Sequence, residues 1–140
     1  MKKIADILAE ARTIAVVGLS PRRFRPSFGV SEYMQRAGYR IVPVNPMVAE
    51  VLGEKSYASL EAVPGPIDIV DIFRRSEHVP EIVEAAIAKG ARTIWMQEGV
   101  VHEEAARRAE SAGLAVVMDR CILKDHRRLG LKRREAPNEP

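Results

Sequence analysis

The sequence predicts one small doubly wound α/β domain, a parallel sheet of about five strands with helices on both faces. Strand-length apolar runs at residues 13–18, 40–44, 67–73, 93–97 and 115–118 alternate with amphipathic stretches of helical period. The first run lacks the in-out alternation of a half-exposed strand, as expected where helices cover both faces. Helical stretches separate the strands over roughly 15 to 30 residues, enough for right-handed crossovers in a parallel sheet.

In chain order, Ile4, Ile7, Leu8 and Ala11 fall at helical spacing and predict a short packing helix. Strand 13–18 ends at Gly18, and a turn-prone segment follows with Arg22, Arg23 and Arg25. A helix over about 28–37 presents Val30, Tyr33, Met34 and Ala37, with Gly38 as its cap. The strand at 40–44 stops at Val44-Asn45-Pro46, because proline can neither donate to a ladder nor admit a helix immediately before it. Residues 47–66 read as a surface excursion with a short helix at 59–63, capped by Ser59 and stopped by Pro64-Gly65-Pro66. The branched run 67–73 is a strand, and Ser76 is expected to cap the helix carrying Val79, Ile82, Val83, Ala86 and Ile87, which Gly90 ends. A helix over 102–112 with Gly113 as cap separates the last two strands, and residues 119–124 fold back as a loop or short helix.

A chain of 140 residues suits one domain. The expected body spans 1–130, followed by a flexible basic and polar tail at 131–140. The 46% hydrophobic and 29% charged fractions are those of a soluble protein, and no apolar run approaches the roughly 18 residues of a membrane span. Asp6, Glu10 and Arg12 interrupt the stretch after Met1-Lys2-Lys3, so no signal peptide is read there and the expected compartment is the cytoplasm. A single cysteine, Cys121, excludes an internal disulfide and a multi-cysteine metal site. The net charge of +3 is uneven: seven Lys or Arg stand against Asp125 alone between residues 120 and 134. This end reads as a solvated, frayed segment in preference to a nucleic-acid binder, since no aromatic ring is interleaved with its charges.

In doubly wound sheets ligands sit beyond the carboxyl ends of the strands, where strand order reverses. The residues at those ends are cationic and hydrogen-bonding. Gly18 allows close approach to the backbone, and the following helix start offers free N–H groups and the positive end of its dipole. Arg22, Arg23 and Arg25 add full charges suited to phosphate, with Pro26 fitting the first helical turn and Ser27 a cap or a phosphate hydrogen bond. The dinucleotide fingerprint is incomplete, with one glycine of three, and Asn45 stands where an acid would hold the ribose of NAD. An NADP-linked oxidoreductase stays open, because arginines accept a 2′-phosphate. Coenzyme A, with its diphosphate and extra ribose phosphate, suits the arginines at least as well.

The succession Gly18-Leu-Ser20, basic loop, Val44-Asn45-Pro46, the run D-I-V-D-I-F-R-R ending at Arg75, and W-x-Q-x-G from Trp95 to Gly99 resembles the small bacterial CoA-binding domain proteins. These are similar to the CoA-binding domain of the succinyl-CoA synthetase α subunit. The resemblance covers roughly residues 5–130 and implies a Rossmann-like fold with CoA across the strand ends. It implies that Gly18, Ser20 and the arginine loop take the phosphates. Val44, Asn45 and Pro46 would line the adenosine or pantetheine path, and Phe73, Arg74, Gln97 and Gly99 would continue it.

No nucleophile, acid or base is assembled in the sequence. His78, His102 and His126 read as surface residues, Asp71 as a buried backbone cap, Cys121 as a small core side chain, and Trp95 as a core residue or interface anchor. Glu98 is either a loop acid or a ligand contact. The expectation is a non-catalytic CoA or acyl-CoA binder, a sensor or carrier, with a homodimer or a protein partner open.

Overall fold

The computed structural model describes residues 2–132. Strands β1 (Thr13–Val17), β2 (Arg40–Val44), β5 (Ile69–Ile72), β6 (Thr93–Met96) and β7 (Ala115–Val117) form a parallel sheet of order β2-β1-β5-β6-β7. A two-residue hairpin, β3 (Glu50–Val51) with β4 (Glu54–Lys55), stands apart from it. The helices are α1 (Ile4–Glu10), α2 (Pro26–Arg36), α3 (Val79–Lys89), α4 (Glu103–Ser111) and α5 (Ile122–Leu129).

Both sheet faces are apolar, which is why the strands read as continuous hydrophobic runs. Ala15, Val17, Val44, Val70, Ile72, Ile94 and Met96 pack with Val79, Val83 and Ala86 of α3 and Ala105 and Ala109 of α4. Ile14, Val16, Ile41, Ile69, Trp95 and Val117 pack with Leu8 of α1, Phe28 and Met34 of α2, and Ile122 of α5. Trp95 is fully buried and its indole N–H donates to the Arg120 carbonyl at 2.8 Å, so it belongs to the core.

Several local expectations are corrected. The excursion at 47–66 contains the hairpin, turned by Leu52 and Gly53, both at positive φ. The segment near Ser59 is a single 3-10 turn, Leu60–Ala62, without a side-chain cap. A 3-10 turn, Ser76–His78, also precedes α3, so Ser76 is too early to cap it; its Oγ accepts the Val101 N–H at 2.9 Å instead. His102 is the N-cap of α4, its Nδ1 accepting from Ala105 N at 3.1 Å.

Asp68, not Asp71, caps backbone: its carboxylate accepts the N–H groups of Arg12 and Thr13 at 2.8 and 2.9 Å. Asp71 lies between Val16 and Trp95 in the sheet register, fully buried, and its Oδ1 has no hydrogen-bond partner among the described residues. Burial pushes its carboxyl well above the usual carboxylate range. Because the folded state holds this proton more tightly than the unfolded chain, the group lowers stability as pH rises above the ordinary carboxylate value.

Up to residue 132 the basic end is better organised than a frayed segment, with α5 over Ile122–Leu129. Arg120 grips Asp125 through two bonds of 2.8 and 2.6 Å, Arg128 reaches the same carboxylate, and Lys124 pairs with Glu98. The guanidinium of Arg120 holds the Asp125 carboxyl below its usual range despite burial. Residues 133–140, most of the expected tail, lie outside the described residues. Among the described residues no helix is long and apolar enough to cross a membrane.

Candidate functional site at the carboxyl edge

The chain runs from β1 outward to β2 and then returns to the other side of β1 to form β5, so strand order reverses between β1 and β5. The carboxyl ends of this pair therefore border the crevice in which such sheets bind ligands. A cleft of about 420 Å³ opens there, lined by Gly18, Ser20, Arg22, Arg25, Pro26, Ser27 and Phe73.

Its floor is the end of β1. Gly18 has φ +90°, and a Cβ at this position would lie 2.6 Å from the Phe73 carbonyl oxygen and 3.1 Å from Cδ of Arg74. Only glycine lets the two strand ends approach so closely. The chain then crosses to α2, which begins at Pro26, where a missing N–H costs nothing. Ser27, buried in the first turn, accepts the Ser20 N–H at 3.0 Å, and Ser20 Oγ accepts the Arg22 N–H at 3.1 Å. These two bonds fold the loop over the start of α2. A further turn is closed by Arg25 N–H to the Arg22 carbonyl at 3.1 Å, which sets Arg22 and Arg25 on the cleft and Arg23 and Phe24 at its tip.

Arg22, Arg23, Arg25, Arg74 and Arg75 form no salt bridge among the described residues. Arg23 and Arg25 lie over the rings of Phe28 and Phe24 at 5.9 and 5.7 Å. Arg22 and Arg25 on the first cleft, without carboxylate partners among the described residues, make a site for an anion, and the start of α2 adds the positive end of its dipole.

A second cleft, of about 320 Å³, lies on the α3 side of the same edge, where Val17, Val44, Pro46, Leu60, Arg74 and Ile82 contribute to its walls. The sequence-selected residues thus separate into groups. Gly18, Ser20, Arg22, Arg25, Ser27 and Phe73 meet in the first cleft, and Val44, Pro46 and Arg74 line the second. Arg23 stands at the loop tip over Phe28 and is not part of either lining. Asn45 ties loops together: its Nδ2 donates to the Leu19 carbonyl and its Oδ1 accepts the Met47 N–H, both at 2.9 Å. Gln97 is buried and its Oε1 accepts the Ile122 N–H at 3.0 Å, fixing the start of α5. Gly99, at φ +83°, donates its N–H to Asp119 at 2.8 Å. Sequence reading missed Pro26 as a wall residue and the stretch from Ala58 to Glu61 in the second cleft; the first was signalled by its place between Arg25 and Ser27.

Residues 12–127 match the CoA binding domain family. The chain belongs to that family. Among its relatives, the protein YneT of Bacillus subtilis (strain 168), itself uncharacterized, is 48% identical over 124 residues, covering 89% of this chain and 92% of YneT. A hypothetical protein from Pyrococcus horikoshii OT3 has the same fold, with a TM-score of 0.89 and 41% identity over 91% of this chain and 90% of its own. The ADP-forming acetate–CoA ligase II of Archaeoglobus fulgidus is 28% identical over 71% of this chain, which spans only 15% of that ligase. This CoA-binding domain therefore also occurs as a small part of a larger enzyme chain.

Proposed function

We propose that this protein binds coenzyme A or an acyl-CoA along the carboxyl edge of its sheet, as a cytoplasmic sensor or carrier that performs no reaction of its own. The observation that carries this reading is the convergence of Gly18, Ser20, Arg22, Arg25 and Ser27 on one cleft at the strand-order reversal, in a chain of the CoA-binding domain family. The diphosphate lies against the start of α2, facing Ser20, Ser27 and the two arginines. Adenosine extends toward the end of β2, past Val44 and Pro46, and the pantetheine arm runs past Phe73 toward β6. The free arginines hold the ribose 3′-phosphate.

The binder reading, as against an enzyme, is supported by what the titratable side chains do. His78 pairs with Glu81, His102 caps α4, and His126 is buried with its Nδ1 2.9 Å from the Tyr33 hydroxyl. Cys121 is buried in the core beside α5. The titratable groups that line the first cleft are Arg22 and Arg25, which bind and orient anions but do not exchange protons near neutral pH.

Calorimetric titration with CoA, acetyl-CoA, dephospho-CoA, NADP and NAD tests the reading. CoA and acetyl-CoA are expected to bind tightest, and loss of the 3′-phosphate to cost about 1.5–3 kcal/mol, the range for a hydrogen bond to a charged group. Preference for NADP, or no binding of CoA, overturns it.

A further inference from the structure

The large apolar side chains that remain strongly exposed are Phe24 at 77%, Met47 at 85% and Val101 at 42%. All three stand in loops that leave the carboxyl ends of strands, after β1, β2 and β6. Phe24 and Met47 are on the two loops nearest the arginine cleft. Those loops are joined by the Asn45 carboxamide, which donates to Leu19 in one and accepts from Met47 in the other. Phe24 occupies the tip of the turn whose ends, Arg22 and Arg25, line the cleft. Exposing a phenyl ring there forgoes the benefit of burying it, and the Arg25 guanidinium 5.7 Å from its centre adds a cationic neighbour.

An aromatic ring beside arginines that have no carboxylate partner among the described residues, at the edge of the cleft proposed for the phosphates, matches what a purine nucleotide presents: a flat ring one sugar away from its phosphates. We infer that Phe24, with Met47 on the neighbouring loop, forms an apolar clamp for the purine base, so that Phe24 sets the preference for the adenine-bearing end of the ligand. This rests on the CoA reading above and extends it, because the clamp assigns the base a place that neither cleft lining contains. Stacking of a base on an aromatic ring is tolerant of geometry and strong enough to measure.

The test compares wild type, Phe24→Ala and Phe24→Trp by calorimetric titration with CoA, with thermal unfolding to show that each variant is folded. Phe24→Ala is expected to weaken CoA binding about five- to fiftyfold, while Phe24→Trp keeps or improves it and preserves the loss of adenine absorbance at 260 nm that accompanies stacking. If wild type binds CoA and Phe24→Ala binds it within twofold, or if Phe24→Trp is as weak as Phe24→Ala, the clamp is wrong and the CoA reading stands. If wild type binds no CoA, the CoA reading fails and the clamp fails with it.

Discussion

Replacing Gly18 by alanine is expected to lower the melting temperature by about 10 °C and to abolish tight CoA binding. The added Cβ would lie 2.6 Å from the Phe73 carbonyl oxygen, closer than any relaxed contact, and the obstacle is backbone at the start of the β5 exit. A φ of +90° costs an L-residue a further increment. Strain of this kind is worth about 1–3 kcal/mol and overpacking about as much again. The sum, roughly 2–5 kcal/mol, corresponds to that shift in a domain of this size. Relief requires the ends of β1 and β5 to part, which moves Phe73 and the base of the arginine loop together. Gly29 supplies the contrast. It sits inside α2 at ordinary helical φ, and a Cβ there meets nothing within 4 Å, so Gly29→Ala is expected to raise stability by about 0.5–1 kcal/mol. Thermal denaturation of the two variants checks both signs; a Gly18→Ala protein melting within 2 °C of wild type would show that the crevice is not as tight as described.

The second large effect is expected on binding alone. Arg22 and Arg25 are exposed, make no ion pairs among the described residues, and contribute to folding chiefly through backbone groups that alanine retains. Each substitution to alanine is expected to weaken CoA binding by about 1.5–3 kcal/mol, the worth of a hydrogen bond to a charged phosphate. The double variant is expected to lose about a hundredfold or more, with less than full additivity because the two side chains share one anion. Its melting temperature should stay within a few degrees of wild type. Calorimetric titration of the double variant gives the answer, and an affinity within twofold of wild type would mean that the loop is merely solvated.

Much of this architecture is legible from residues because the dominant force, burial of both sheet faces, writes itself into the sequence as unbroken aliphatic runs such as Ile14-Ala-Val-Val17. Helix ends marked by glycine were equally plain, as at Gly90, which takes the left-handed conformation after α3. Where polar groups are buried the pattern fails. The sequence reads residues 119–124 as a loop or short helix and does not show α5 running on to Leu129, because Asp125 and His126, both almost fully buried, occupy positions where an apolar stripe would show. Their burial depends on Arg120, Arg128 and Tyr33, partners that no local window associates with them. The hairpin is not legible in the sequence because two-residue strands carry no periodicity, and its turn places leucine at φ +56°, where propensity expects glycine or asparagine.

For the site, type and place in the chain were readable and side-chain use was not. Gly18, Ser20 and Ser27 were selected by their positions around a strand end and a helix start, and the fold brings them into one cleft. Asn45 and Gln97 were selected by the same positions, yet their amides are engaged in holding neighbouring backbone, the former linking two loops and the latter anchoring α5. A carboxamide at a strand end can serve a ligand or a loop equally well, and only the tertiary contacts distinguish the two.

The most direct measurement is an amide-resolved magnetic resonance titration of isotope-labelled protein with CoA. Diphosphate binding at the start of α2 predicts that the largest shifts fall on the backbone amides of Gly18, Ser20, Arg22, Ser27, Phe28 and Phe73, and that inorganic sulfate in excess competes for the same set. Shifts concentrated instead on Tyr33, Arg36 and Arg127 in the groove between α2 and α5, or no shifts at all, would contradict the placement of the ligand at the carboxyl edge.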